Sequence, residues 1–404
     1  MNFKELLDRY KNGTATEEEI KLVKREIEKY EAIEEYLAEK MDLDFISLKE
    51  DEKLKEETIG IKKSVNRRLR RVVIASVSIV LAIILGIFFI ISPIIDSFYY
   101  NPTEKLIGGK YSNDIFYDLT AIIELNYPSR VLTIHSYIER LGFGSYSVNY
   151  KVKDTFTRQE IPISFKLERN HIRYTLLDDA TDASYHYAGF MTVWEPDSFI
   201  SEEYWEQKRR VMDHLRKLSP ASYVSAYITF EEDLTMEELW ELKQDYNEDD
   251  PIQVNIVWVA VRTSAKGVKA EYITGFKTDL NAGVRTNYVP DKEKYPLFQL
   301  GDLYHEENNR VIRAKSLFPT AYETHYKSLL KYLVDREEAV KVLEFEKKYE
   351  YYKAALNYIE ENGIKTFGVL VYADAEDLIK FVENNPVKTL VIHKVLASKP
   401  YIDW

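Results

Sequence analysis

The segment VVIASVSIVLAIILGIFFIISPII runs from Val72 to Ile95 without a single charged side chain. Its 24 residues exceed the roughly 20 that a helix needs to cross a bilayer. A signal peptide has a shorter apolar core, a much shorter polar leader and a small-residue cleavage site, none of which fits here. A buried core helix would carry more polar interruptions than the three serines of this run. Gly86 and Pro93 are compatible with a spanning helix, because neighbouring groups can satisfy the backbone they disturb. The reading is therefore a transmembrane helix over 72–95, with folded material to be sought on both sides of it.

The flanks set the expected orientation. Lys62, Lys63, Arg67, Arg68, Arg70 and Arg71 precede the span, whereas Asp96 follows it and the next base is Lys105. Basic residues are retained on the cytoplasmic side. A single pass with the N-terminal piece in the cytoplasm and the larger C-terminal part outside the cell membrane is expected.

Charge then narrows the partners. Residues 1–61 hold 18 acids and 11 bases, net −7; residues 62–71 carry +6; the rest of the chain carries −11 of the total −12. Neither soluble part offers the basic surface that direct nucleic-acid binding requires. The chain has no cysteine, which removes disulfides, thiol catalysis and cysteine-ligated zinc. With 45% hydrophobic and 13% aromatic residues it can bury a substantial core.

The N-terminal piece has a regular pattern. Phe3, Leu6, Leu7 and Tyr10 fall at i, i+3, i+4 and i+7, on one face of a short helix. Asn12-Gly13 ends it, with Gly13 as a C-terminal cap. Thr16 with Glu19 three residues later has the form of a capping box. A second helix is predicted from about Glu17 to Met41, with Ile20, Val23, Ile27, Tyr30, Ile33, Leu37 and Met41 forming a near-heptad stripe. Twenty-five residues make a helix of about 37 Å. A ten-residue partner helix covers only part of such a stripe, and exposed apolar seams mark partner surfaces. Three uses of the seam fit this pattern: homodimerisation as a coiled coil, a solvated juxtamembrane stalk, and a different protein lying in the groove and reaching Phe45, Ile46 and Leu48. The charged run from Lys49 to Glu57 reads as a tether to the membrane.

Beyond the span, NPTEKLIGG (101–109) reads as a hinge. Tyr146, Val148, Tyr150 and Val152 alternate with polar residues, as do Ile161, Ile163, Phe165 and Leu167, and HIRYTLL follows. This is the period-two pattern of half-buried antiparallel strands. Residues 201–218 read as a helix ending before Ser219-Pro220. Then ASYVSAYITF, TMEELWELKQDY and IQVNIVWVAV form a strand–helix–strand unit. KTFGVLVYA, AEDLIKFVENN and KTLVIHKVL form another, with a helical stretch at about 321–362 between them. Two such units suggest an α+β layer with an antiparallel or mixed sheet, in the manner of split βαβ folds.

The stretches FKELLDRYKNGTATEEEIKLVKREIEKYEAIEEYL, the basic stop and the single span together resemble the N-terminal region of membrane-bound anti-sigma factors. LSPASYVSAYITFEEDLTMEELWEL, VNIVWVAV, Gly275-Phe276 and GIKTFGVLVYADAEDLIKF resemble the outer domain of the zinc-free group with paired sigma factor regulator N-terminal and C-terminal domains. The resemblance covers about the first 95 residues and most of 210–404. The zinc-binding variant of the broader class carries a histidine and two cysteines, which this chain lacks. The resemblance implies that the inner helices sequester a sigma factor of the extracytoplasmic-function type through Phe3, Leu6, Leu7, Tyr10, Ile20, Val23, Ile27 and Tyr30. Ile33 and Leu37 extend the same stripe. It also implies release on an envelope signal through proteolysis or a second membrane regulator.

The implied layout is a sigma-binding region at 1–61, a basic stop at 62–71, the span at 72–95, a β-rich region at 96–218 and an α+β sensor at 219–404. No enzyme and no cofactor is called for. The seven histidines make no short metal pair, and His305 with Glu306 and Glu307 is better read as a solvated loop. LGFGSYS has two of the three glycines of a dinucleotide loop and misplaces its serine for a nucleophile elbow. Ser145 therefore reads as a strand residue. Thr263-Ser264-Ala265-Lys266 lacks the Ser-x-x-Lys spacing. Tyr185-His186-Tyr187 and Trp194 are candidates for glycan stacking, although core packing accounts for most aromatics. The competing function is an envelope-facing binding or cell-wall maintenance protein whose N-terminal helices only dimerise.

Overall fold

The computed structural model describes residues 3–40, 52–105, 112–133, 137–173, 190, 202–247, 250–268, 272–279, 290–304 and 317–400. The chain divides into two compact units, Met1–Leu81 and Ala82–Trp404.

In the first unit, α1 (Phe3–Lys11) and α2 (Glu17–Lys40) are joined by a turn that closes as the sequence predicts. Thr14 N–H donates to Arg9 O and Gly13 N–H to Tyr10 O, a Schellman pair, with Gly13 at φ +69°. Thr16 N–H donates to Glu19 Oε2 (2.8 Å) and Glu19 N–H to Thr16 Oγ1 (3.4 Å), the expected capping box. α3 (Glu52–Gly86) begins inside the charged run. The tether read at Lys49–Glu57 is therefore helical from Glu52 onward, consistent with the high helix propensity of Glu and Lys. α3 passes into a π-helical turn at Ile87–Ile91 and then α4 (Ser92–Asp96).

The second unit holds two five-stranded antiparallel sheets. The first is built from β1 (Arg130–Leu132), β2 (Tyr137–Gly142), β3 (Ser145–Asp154), β4 (Glu160–Glu168) and β5 (His171–Arg173), with β3 in contact with β1, β2 and β4. The alternation read in the sequence is realised: Tyr146, Val148, Tyr150 and Val152 point inward, with Ile163, Phe165 and Leu167 beside them. α5 (Asp114–Asn126) contributes to the same core and is buried at nearly every position.

The second sheet has the order β10-β6-β9-β7-β8, from β6 (Tyr223–Thr235), β7 (Val254–Val261), β8 (Thr274–Lys277), β9 (Lys365–Asp374) and β10 (Val387–Leu396). Following α6 (Glu202–Leu215), the first unit of the predicted pair is β6, α7 (Met236–Gln244) and β7. Three helices come next: α8 (Phe318–Asp335), α9 (Glu337–Leu343) and α10 (Glu346–Asn362). The second unit is β9, α11 (Ala375–Asn384) and β10. Each unit encloses one strand of the other, since β9 lies between β6 and β7 while β6 lies between β10 and β9. This is the split βαβ arrangement. Both sheet faces are covered. Val224, Ala226, Ile228, Val369 and Val371 share a core with Leu239, Leu378 and Phe381. Tyr223, Tyr227, Trp258, Leu370 and Tyr372 form a second, aromatic cluster with Phe156 and Phe190. A strand buried on both sides reads as a continuous apolar run rather than an alternation, which explains VNIVWVAV.

Candidate partner surface and its polar supports

The α1–α2 pair buries only the base of its stripe. Val23 is fully buried and Leu6 nearly so, while Leu7, Tyr10 and Ile20 are half-buried. Further along α2 the stripe emerges: Ile27 is 37% exposed, Ile33 56% and Tyr30 61%, with Leu22 beside them. The side chains of Phe3 and Leu37, and all of Met41, Phe45, Ile46 and Leu48, lie outside the described residues. Arg9 reaches across the turn to Glu19 at 3.2 Å. Backbone and side-chain bonds to Thr16 hold the Glu19 carboxyl below the usual range, with Arg9 adding to them. The structure thus brings Leu6, Leu7, Tyr10, Ile20 and Val23 together and leaves Ile27, Tyr30 and Ile33 as an uncovered apolar seam.

The helical run Lys63–Asp96 is 34 residues long, with a mean hydropathy of 3.0 over its most apolar window and none of that window buried. That is long and apolar enough to cross a membrane. Lys62, Lys63, Arg67, Arg68, Arg70 and Arg71 sit on α3 just ahead of the apolar residues, and the last four are exposed.

At the other end of this run, α4 is held by the β2–β3 turn. Phe143 N–H donates to Ser92 Oγ (2.9 Å), Arg140 Nε donates to Asp96 Oδ2 (2.7 Å), and Gly144 N–H donates to Asp96 Oδ1. Gly142, Phe143 and Gly144 all have positive φ. A Cβ at Gly142 would stand 3.0 Å from Ser92 Oγ, and one at Gly144 only 2.7 Å from the Tyr99 ring. These glycines make the close approach of turn and helix achievable. LGFGS is therefore a hairpin turn fitted to a helix end.

The next residues are anchored too: of the hinge read at 101–109, the described part, 101–105, is held by hydrogen bonds. Tyr100 N–H donates to Asn170 Oδ1 (2.8 Å), Asn101 caps Thr103, and Asp114 N–H donates to Glu104 O (2.7 Å). Residues 106–111 lie outside the described set. Tyr100 OH donates to Asp118 Oδ2 and Tyr332 OH to Asp118 Oδ1, both at 2.8 Å, while the Arg336 fork grips both oxygens at 2.9 and 3.0 Å. Asp118 is fully buried. Burial and the Asp118 charge push both tyrosine hydroxyls well above their ordinary range. Burial alone would lower the Arg336 value, but its bonds to Asp118 raise it.

A second buried knot joins α5, β8 and α8. Glu124 Oε1 lies 2.9 Å from His325 Nε2, and His325 Nδ1 lies 2.7 Å from Leu297 O. Both ring nitrogens of His325 thus face oxygen atoms. Lys277 Nζ stands 4.0 Å from Glu124 Oε2. Burial works against the Glu124 charge, yet Lys277 and His325 overcome it and hold its carboxyl low. Lys243 has a partly exposed stem, but its ammonium is enclosed by Thr278 Oγ1 (2.7 Å), Thr278 O (3.3 Å) and Ile256 O (3.4 Å), and burial pushes it down to about 8.

These knots stabilise the fold, and none has a nucleophile–base geometry. Ser145 opens β3, Thr263 bonds Tyr351, and Lys266 pairs with Glu232. Among the described residues, no group of three or more His, Asp or Glu side chains could hold a metal ion. Tyr117, Tyr146, Tyr227, Tyr322, Tyr326, Tyr332 and Tyr352 are core residues. Tyr185, His186, Tyr187, Trp194 and His305 lie outside the described residues.

Residues 215–394 match the sigma factor regulator C-terminal family. The match spans β6 to β10 and so takes in the whole second sheet with its three intervening helices. No curated protein and no solved structure matches the chain. The matched family is regulatory rather than catalytic, and it implies a sigma factor as partner in general. The sigma-regulator domain ends at the strand that completes the sheet, and its match does not reach the N-terminal helices.

Proposed function

We propose that this protein is a single-pass, membrane-anchored anti-sigma factor. The observation that carries the reading is an arrangement along one chain. An uncovered apolar seam at Ile27, Tyr30 and Ile33 precedes an exposed apolar helix, and a sigma-regulator domain follows it. Residues 1–61 hold an extracytoplasmic-function sigma factor along Phe3, Leu6, Leu7, Tyr10, Ile20, Val23, Ile27, Tyr30, Ile33 and Leu37. The acids flanking the stripe complement a basic, nucleic-acid-binding partner. The bases at 62–71 keep this region cytoplasmic, residues 72–95 span the membrane, and the β-rich 96–218 and α+β 219–404 regions face outward as sensor. Proteolysis on an envelope signal releases the sigma factor with the inhibitor, since one helix alone transmits little conformational change.

The test is affinity capture on the full-length protein in mild detergent, with mass spectrometry of what is retained. A single sigma factor recovered by the wild type and lost in Ile27→Asp supports the proposal. Recovery of a second copy alone points instead to an envelope-facing protein with dimerising helices. Deleting residues 2–61 separates the two readings in the cell: an anti-sigma factor loses its role and a set of genes is derepressed, whereas an anchored outer protein retains most of its role.

A further inference from the structure

The β2–β3 hairpin tip lies against a helix whose apolar length can be counted. From Val72, the first residue after the basic stop, roughly 20 residues complete a crossing, which places the end of the hydrocarbon near Ile91. Four further apolar or small residues follow before Asp96. The tip occupies this remainder. Phe143 N–H is bonded to Ser92, and Arg140 and Gly144 are bonded to Asp96. The Phe143 ring meets Phe88 edge-on at 5.7 Å between centroids. Phe88 precedes Asp96 by eight residues, roughly 12 Å along a helix axis, so the ring reaches the last turn that the bilayer would cover.

The surface around this contact has the composition of a membrane interface. Phe98, just past α4, is 73% exposed and Leu141, beside the tip, 43%, and large apolar side chains seldom face water without a partner surface. Leu141 sits at the register shift between Arg140 and Gly142, at the end of edge strand β2. Arg140 and Arg169 flank the tip, Arg169 N–H being bonded to Gly144 O. Aromatic rings with basic neighbours are favoured where headgroups meet acyl chains.

We infer that this tip, with Leu141 and Phe98 at its front, docks on the lipid headgroup region of the leaflet from which the helix emerges. The bilayer is the chosen occupant because the tip is bonded to the same helix that enters it. The docking fixes the height of the first sheet above the membrane, so the outer domain rests on the surface rather than hanging from a flexible stalk. This inference depends on the helix crossing the membrane, which forms part of the proposed function.

The chain's lack of cysteine makes the test direct, since any introduced thiol is labelled uniquely. The full-length variants Leu141→Cys, Phe98→Cys, Lys151→Cys and Val80→Cys are labelled with an environment-sensitive fluorophore. Each is reconstituted in vesicles of equal parts phosphatidylcholine and phosphatidylglycerol, with nitroxides placed high or low on the acyl chains. The expected result is a blue-shifted probe at 141 and 98, quenched by the high nitroxide. The probe at 151 should stay accessible to iodide, and the probe at 80 should be quenched by the low nitroxide. Iodide quenching at 141 and 98, with 80 still in lipid, overturns the docking and leaves the span intact. A blue-shifted but lipid-unquenched probe at 141 means that protein, such as a second copy, covers the tip, and also overturns it. Loss of lipid quenching at 80 removes the span and the docking together. Phe98→Cys carries the test if Leu141→Cys does not fold.

Discussion

The two ends of this chain use apolar residues in opposite ways. In Ala82–Trp404, side chains such as Tyr227, Trp258, Phe276 and Tyr352 are sealed between sheets and helices, and buried charges such as Asp118 are fully paired. Among the described side chains of the α1–α2 pair, only Leu6 and Val23 are buried, and Ile27, Tyr30 and Ile33 stay in contact with water. The first pattern is that of a domain stable by itself; the second is that of a surface awaiting a partner. A two-helix unit with so small a buried seam contributes little stability of its own, because isolated helices are marginal without packing. On the proposed function, stability and binding are thus carried by different regions, and each can be damaged without the other.

The largest expected effect tests the self-sufficient half. Asp118→Ala strands Arg336, Tyr100 and Tyr332 in a buried site and should cost about 3–5 kcal/mol, read as a lowered denaturant midpoint of the full-length protein in detergent. Sigma-factor capture under native conditions should persist. A loss below about 1 kcal/mol would mean that the buried knot is not the support described here.

Next is the open half. Ile27→Asp and Leu7→Asp should each weaken partner capture by about 100-fold, the scale of a central interface anchor, without moving the unfolding midpoint of the C-terminal unit. A midpoint shift in either variant would break the separation between the regions.

A pH series sharpens the contrast further, because Lys243 belongs to the domain and the seam has no comparable group. Its folded value of about 8 lies below the ordinary lysine value. Below pH 8 both states carry the proton and the buried charge costs the fold its full penalty. Between about 8 and 10.5 only the unfolded state keeps the proton, so stability rises with pH by on the order of 2–3 kcal/mol. Lys243→Met should flatten that part of the profile; an unchanged slope would assign the rise to other groups.

The smallest effect compares one device in both settings. Thr16 and Thr235 each form a capping box with a Glu three residues on. Replacing either by Ala should cost about 1 kcal/mol. Thr235→Ala should appear as a lowered unfolding midpoint, whereas Thr16→Ala should appear as reduced helicity of α2 and a few-fold weaker capture. Equal effects on the midpoint would refute the division.

What the sequence revealed followed the same division. The Thr16–Glu19 capping box, the Gly13 turn, the alternating strands β3 and β4 and both strand–helix–strand units rest on local rules and were legible. α5 escaped notice because a helix buried on nearly every side shows no polar face to mark a period. β2 escaped because it is exposed at most positions, so no alternation marks it. The Glu124–His325 and Asp118–Arg336 contacts join residues more than two hundred apart in sequence, and no local pattern announces such a pair. The base of the partner seam was legible as a stripe. How much of it is uncovered depended on the three-dimensional closure of α1 on α2.

The strand order also sets a timetable. β6 and β9 lie side by side at the centre of the second sheet, with Tyr223 opposite Asp374, and β10 then closes on β6. Neither neighbour of β6 exists until almost the entire chain has been synthesised. Contacts this distant in sequence form slowly, and the first half of the waiting strand, Tyr223–Phe230, is buried on both faces in the finished sheet. A newly made chain therefore passes through an interval in which Tyr223–Phe230 is an unpaired, aggregation-prone edge. A chaperone or a quality-control protease would meet the protein during that interval, before any signal reaches the finished domain.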